Sequence, residues 1–192
     1  MLGGTAYCPA CGVDSRVIYL TSGSGVAAEE QARCASCGFW FQAEASGAAG
    51  TLFARVGIAE DSDPIRKAVK EDLILEGLAG AVDDFADGAA MVAALKNAVP
   101  TGRLYDLAIL DLNMPGFDGL KVAGFLRTFE QQLKTNPAPV LFFSSVVCDD
   151  RLRQTLTRLT PAFYLNKGTV KSRTELPARL NAVLKQIRSS HL

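Results

Sequence analysis

The sequence predicts an α/β protein, a five-stranded parallel sheet with helices on both faces, preceded by a small β segment folded around a metal ion. Two observations predict it. From Leu52 onward, five short apolar runs alternate with five stretches of helical period, and ahead of them stand two C-x-x-C pairs. Between the two regions lies Ala45-Ser46-Gly47-Ala48-Ala49-Gly50, a composition typical of flexible linkers. The expected organisation is therefore a metal-binding segment over 1–44, a linker over 45–51 and an α/β domain over 52–192.

The first pair is Cys8-Pro9-Ala10-Cys11-Gly12 and the second Cys34-Ala35-Ser36-Cys37-Gly38. Two thiols three residues apart, followed by glycine, wrap one edge of a tetrahedral ion, and the tight turn turns backbone N–H groups towards sulfur. Two such turns complete a closed four-sulfur site, which suits structural zinc and leaves no position for a substrate. The 22 residues between the pairs (12–33) leave room for a hairpin loop at Ser22-Gly23-Ser24-Gly25. Val17–Leu20 and Phe39-Trp40-Phe41 read as its short strands. A segment this small buries little core, so the metal supplies much of its folding free energy. Cys148 lies far away in sequence and is not counted as a ligand. The segment is similar to small bacterial zinc-ribbon domains.

In the α/β region the strands are expected at Ala54–Ala59, Gly80–Phe85, Leu107–Leu112, Val140–Ser144 and Ala162–Leu165. The first helix starts at Asp63-Pro64, a cap followed by proline, and stops at Gly77, with Ile65, Val69 and Leu73 on one face. The second covers Gly88 to Ala98 and the third Asp118 to Lys134, before Asn136-Pro137. The fourth covers Asp149 to Leu159. The last, Thr174 to Ile187, holds Pro177 within its first turn, where proline is tolerated.

Functional residues of such sheets gather at the carboxyl ends of the strands. Here those ends carry Glu60-Asp61, Asp111, Ser144-Ser145 and Lys167. Three carboxylates brought together by strand order repel one another unless a cation sits among them. Magnesium accepts one or two carboxylates directly and keeps several waters. A hydroxyl and an ammonium opposite would suit the oxygens of a phosphoryl group. Any one acidic pair before a helix is ordinary capping, but four such features at four strand ends are not.

These residues resemble the receiver domain of bacterial two-component response regulators, a flavodoxin-like fold, over about residues 53–190. Ile58-Ala59-Glu60-Asp61 with Pro64 and Arg66 resembles the family's acidic opening, and Tyr105–Gly119 its phosphorylation segment. Pro139–Ser145 resembles its switch strand and Tyr164–Lys167 its lysine strand. The resemblance implies Asp111 as phosphoacceptor and a magnesium ion held by Asp61, Asp111 and the Asn113 carbonyl, with Glu60 acting through water. It implies Ser144 and Lys167 as partners of the phosphoryl oxygens and Tyr164 as the switch residue. It also implies a sensor histidine kinase or phosphotransfer protein as donor. Gly168 replaces the family's usual proline after the lysine, so a trans Lys167–Gly168 bond is expected, since a cis bond without proline costs about 2.5–4 kcal/mol.

Formal net charge is zero, and residues 1–50 hold only Arg16 and Arg33 against four acids. That balance argues against a nucleic-acid-coating role. No apolar run is long enough to span a membrane, and the N-terminus lacks a signal peptide's basic and apolar regions, so a cytoplasmic location is expected. The expected function is a phosphorylation-switched adaptor that binds other proteins through the receiver surface, the ribbon or both. It is a signalling domain rather than an enzyme. The alternatives are a nucleic-acid regulator acting through the ribbon, or a phosphate sink or pseudo-receiver scaffold. Arg151, Arg153, Arg158, Lys171, Arg173, Arg179, Lys185 and Arg188 stand near the C-terminus with Glu175 as the only acid, so an exposed basic face is expected there, either a solvated face that offsets acids elsewhere or a docking surface for an acidic partner.

Overall fold

The structure, a computed structural model, describes residues 2–22, 29–41, 51–168 and 175–190. Strands β1 (Leu2–Cys8), β2 (Val13–Ser22) and β3 (Glu29–Cys34) form an antiparallel sheet in the order β1-β2-β3. The register pairs Cys8 with Val13 and Val17 with Cys34, so both cysteine pairs lie at one end of the sheet. Gly12 and Gly38 close the two C-x-x-C turns with φ of +72° and +80°, a conformation that favours glycine. Their N–H groups donate to the Cys8 and Cys34 carbonyls at 2.8 and 2.9 Å.

Phe39-Trp40-Phe41 is not a strand: Trp40 makes an isolated bridge to Arg33, and Phe39 and Phe41 stack edge to face at 5.8 Å. Both rings join the core shared with the larger sheet, while their backbone stays beside β3: the Cys34 N–H donates to the Phe39 carbonyl and the Phe41 N–H to the Ala32 carbonyl, each at 2.8 Å. Strands β1 and β3 were not expected, because Gly3-Gly4 and Glu29-Glu30-Gln31 carry no alternating apolar pattern. The expected loop and linker, apart from Ser22 and Thr51, lie outside the described residues.

The remainder runs β4 (Phe53–Ala59), α1 (Asp63–Leu75), β5 (Ala79–Phe85), α2 (Gly88–Ala98), β6 (Leu107–Leu110), α3 (Gly119–Leu133), β7 (Val140–Ser144), α4 (Asp150–Thr157), β8 (Ala162–Asn166) and α5 (Leu176–Ser190). All five strands are parallel, in the order β5-β4-β6-β7-β8. Chain order reverses at β4, which pairs with β5 on one side and β6 on the other. That is the switch point of a doubly wound sheet.

The strands read as continuous apolar runs because both faces are covered. Leu107, Ile109, Leu141, Phe143 and Leu165 pack on one face with Val69 and Leu73 of α1 and Leu180, Val183 and Leu184 of α5. Ala108, Leu110, Val140, Phe142 and Tyr164 pack on the other with α2, α3 and α4 through Met91, Leu95, Val122, Leu126 and Leu156. Asp87, Asp118 and Asp149 cap α2, α3 and α4, each accepting a backbone N–H three residues on. The first helix departs from expectation: Ser62 is its N-cap, and Asp63 instead pairs with Arg66 and Lys67. The fifth helix begins at Leu176, and its expected start at Thr174 lies outside the described residues.

The two sheets share a core. Cys8, Ala10 and Cys34 are buried in the same cluster as α1 and α5. The cation expected on a basic surface, Arg179, is only 3% exposed. Its Nε donates to the Pro9 carbonyl at 2.7 Å and its Nη2 to the Asn166 carbonyl at 2.7 Å. Arg151, Arg158, Lys185 and Arg188 are exposed and Arg153 is half-buried, while Lys171 and Arg173 lie outside the described residues. The single basic face is thus corrected, because the cysteine turn covers its centre. No described helix is long and apolar enough to cross a membrane.

Candidate functional site

Sheet hydrogen bonding runs one residue past the strand ends and fixes the acidic residues there. The Glu60 N–H donates to the Phe85 carbonyl at 3.1 Å, Asp111 to Ala59 at 2.9 Å and Lys167 to Ser144 at 2.8 Å. Glu60, Asp111, Ser144 and Lys167 are all buried, whereas Asp61 and Asn113 are exposed. One carboxylate oxygen each from Glu60, Asp61 and Asp111 lies within 4.8 Å of the others.

Lys167 Nζ stands between two of these acids, 2.7 Å from Glu60 Oε2 and 2.9 Å from Asp111 Oδ2. The other oxygen of Asp111 accepts the Asn113 N–H at 3.1 Å. Burial pushes the Glu60 carboxyl above its usual range, and Lys167 opposes that shift. Three carboxylates against one ammonium leave a formal charge of minus two in a mostly buried site. Oxygen donors in that number fit a hard divalent cation such as magnesium.

Ser144 Oγ accepts the Val146 N–H at 3.2 Å. Tyr164 is buried and its hydroxyl, pushed up to about 12 by burial, donates to the Val146 carbonyl. Asn166 Nδ2 donates to that hydroxyl at 2.7 Å and to the same carbonyl at 3.2 Å. The Lys167–Gly168 bond is trans, with Gly168 at φ +80° and its N–H on Asn166 Oδ1 at 2.7 Å. Glu60, Asp61, Asp111, Asn113 and Lys167 are brought together directly, Ser144 joins them through the Lys167 N–H, and Tyr164 is linked to Ser144 through Val146. Asn166 carries no chemistry of its own and was not legible as a site residue.

Gly119, at the start of α3, packs directly on this site. A Cβ there would lie 2.3 Å from the Asp111 carbonyl oxygen, a backbone atom that cannot swing aside. Gly119→Ala is expected to cost about 1–3 kcal/mol by overpacking, lowering Tm by about 2–12 °C. Thermal denaturation checks this, and an unchanged Tm would contradict the packing described.

The second cluster is the cysteine quartet. Its sulfurs lie within 4.8 Å of one another, with Cys8 and Cys37 at 3.6 Å and Cys11 and Cys34 at 3.8 Å. Tetrahedral zinc with Zn–S bonds of 2.3 Å needs sulfurs about 3.8 Å apart, so the quartet fits that ion. A disulfide needs about 2.05 Å, and all described cysteines are free. Thiol hydrogen bonds from Cys11 and its neighbours hold Cys34 well below the usual thiol range and push Cys37 well above it. Such a quartet ionises fully only with a cation among its sulfurs. Cys148 is buried, packs in the core cluster that Cys37 also borders, and lies outside the quartet.

Residues 56–174 match the family described as the response regulator receiver domain. The chain belongs to that family. Its receiver is 35% identical over 132 residues to the transcriptional regulatory protein TctD of Salmonella typhimurium, covering 69% of this chain and 52% of that protein. It is 33% identical over 122 residues to the probable transcriptional regulatory protein NarL of Mycobacterium tuberculosis, covering 64% of this chain and 50% of that one. The chain thus spans about half the length of these curated relatives. In fold the receiver is similar to the chemotaxis protein CheY4 of Vibrio cholerae, with a TM-score of 0.54 at 23% identity, over 70% of this chain and 98% of that one.

Proposed function

We propose that the chain is a response regulator that accepts a phosphoryl group on Asp111, with magnesium, and acts as a phosphorylation-switched protein-binding adaptor. The observation that carries the reading is the Asp111 carboxylate at the switch point, buried against Glu60 and Asp61 and paired with Lys167 at 2.9 Å. Asp61, Asp111 and the Asn113 carbonyl would hold magnesium, with Glu60 acting through water, and the ion would neutralise developing phosphoryl charge. An Asp111 oxygen attacks phosphorus of a phosphohistidine on a sensor kinase or phosphotransfer protein. The O–P bond forms as the P–N bond breaks, and the histidine nitrogen keeps the bonding pair and leaves as neutral imidazole, its other ring nitrogen already carrying a proton. Lys167 and Ser144 then face the oxygens of the new acyl phosphate, and Tyr164 follows through Val146.

The organisation we infer is a zinc ribbon over 1–44, a linker over 45–51 and a receiver over 52–192, working in the cytoplasm. Protein output is favoured over nucleic acid by the fate of the ribbon's two cations. The Arg33 guanidinium lies 4.1 Å from the Trp40 ring centroid, which leaves Arg16 as the one cation not so engaged among the ribbon's described residues.

With magnesium and a small phosphodonor, intact mass is expected to rise by one phosphoryl group, and Asp111→Asn is expected to abolish the gain. Persistent labelling of that variant would move the acceptor elsewhere.

A further inference from the structure

The cysteine turn that would wrap zinc does not stand clear of the receiver. Its carbonyls are built into the strand end that carries Lys167. The Asn166 N–H donates to the Ala10 carbonyl at 2.7 Å, and the Asn166 carbonyl accepts from Arg179. Arg179 also holds Pro9 by its Nε, and its guanidinium lies flat on Gly12, where a Cβ would come within 2.7 Å of Cζ. Gly12 thus admits the arginine as well as closing the turn.

Asn166 is therefore fixed through its backbone by the turn between Cys8 and Cys11, and it fixes two things in return. Its peptide neighbour is Lys167, whose ammonium meets Asp111. Its side chain holds Tyr164 and the Val146 carbonyl, two residues beyond Ser144. The groups that would meet a phosphoryl oxygen thus share one hydrogen-bond network with the metal turn. Arg179 Nη1 is buried with no hydrogen-bond partner, a cost carried by the docked arrangement.

We propose that occupancy of the cysteine site and of the phosphoacceptor site are thermodynamically linked through Arg179 and Asn166, so that a zinc-loaded, docked ribbon raises affinity for a phosphoryl group. With the turn ordered by metal, Lys167 and the Ser144–Val146 loop are already in place, and binding does not have to order them. Without metal the turn loses its shape and the loop must be ordered at the moment of binding. Linkage is reciprocal, so a phosphoryl group raises zinc affinity by the same factor. The inference rests on the phosphoacceptor reading above and assigns that site a metal-dependent input.

The test uses the full chain and magnesium with beryllofluoride as the phosphoryl probe, measured by calorimetry. Three samples are compared: zinc-loaded protein, protein stripped with a zinc-selective chelator, and zinc-loaded Arg179→Ala. Stripping is expected to weaken beryllofluoride binding by about 5–150-fold, the usual range of such coupling. Arg179→Ala, retaining its zinc, is expected to show the weakened affinity as well. Chelator competition on the unmodified chain should show zinc held more tightly, by the same factor, once beryllofluoride is bound.

Affinities within twofold across all three samples would overturn the linkage and leave the phosphoacceptor reading standing. Failure of the zinc-loaded chain to bind beryllofluoride would overturn both. Arg179→Ala keeps the test decisive should the stripped protein unfold further than its ribbon.

Discussion

Stripping the metal is expected to unfold the three-stranded sheet while the five-stranded sheet keeps its structure. Among the described residues of the small sheet, Cys8, Ala10, Val17 and Cys34 are the buried apolar ones, and three of them belong to the receiver's cluster. A segment of that size folds alone only with a metal or disulfide, and structural zinc contributes about 10–16 kcal/mol in comparable small domains. The larger sheet has its own core on each face and does not need the ion. Trp40, the single tryptophan, reports on the event selectively, because it bridges to Arg33 within the small sheet. Its emission should shift to the red on chelation while the far-ultraviolet helix signal persists. Unchanged emission from metal-free protein would contradict the assignment.

Lys167→Ala is expected to give the largest loss of stability among single changes at the acidic site, and magnesium is expected to recover much of it. The lysine side chain is 10% exposed and pairs with two carboxylates that are 2% and 5% exposed. Removing one partner of a buried pair leaves uncompensated charge and costs about 3–5 kcal/mol, which lowers Tm by about 6–20 °C for a chain of this size. A divalent cation supplies the missing positive charge, so added magnesium should raise Tm more in the variant than in the unmodified protein. An equal magnesium response in both would contradict the charge balance described. The same variant should lose the coupling of phosphate to Tyr164, because the ammonium contact is what a phosphoryl group would engage.

Most of the larger sheet was legible because its determinants are local. The continuous apolar runs at 107–110 and 140–144 announce strands buried on both faces, and the expected starts of the second, third and fourth helices fall within one residue of the observed ones. The acidic site was legible for a related reason: topology brings strand ends together without further information. The cysteine quartet followed from spacing alone.

What escaped depends on contacts that leave no local trace. Arg179 reads as one more cation in a basic stretch, yet its partners are backbone carbonyls from the other end of the chain, and carbonyls have no sequence identity. Asn166 looks like an ordinary polar residue beside Lys167, and only the docked turn makes it a junction. Phe39-Trp40-Phe41 reads as a strand because aromatic residues favour strands, and it does lie along β3, but the pairing stops at the single Trp40–Arg33 bridge. Glu130 is another case. It is 3% exposed on α3, where it pairs with Arg127 at 2.7 Å and accepts the Ala138 N–H at 2.7 Å. Its charge suggests a solvated face, whereas its position, i+11 from Gly119, places it on the buried face with Val122, Ala123 and Leu126.

Asp111 is the proposed acceptor, and locating the phosphoryl bond tests that most directly. The phosphorylated chain is reduced with borohydride, which converts an aspartyl phosphate to homoserine, and the peptides are then mapped by mass. Homoserine at position 111, dependent on magnesium during phosphorylation, is the predicted result. A reduced residue at Glu60, Asp61 or any other position, with Asp111 unchanged, would contradict it.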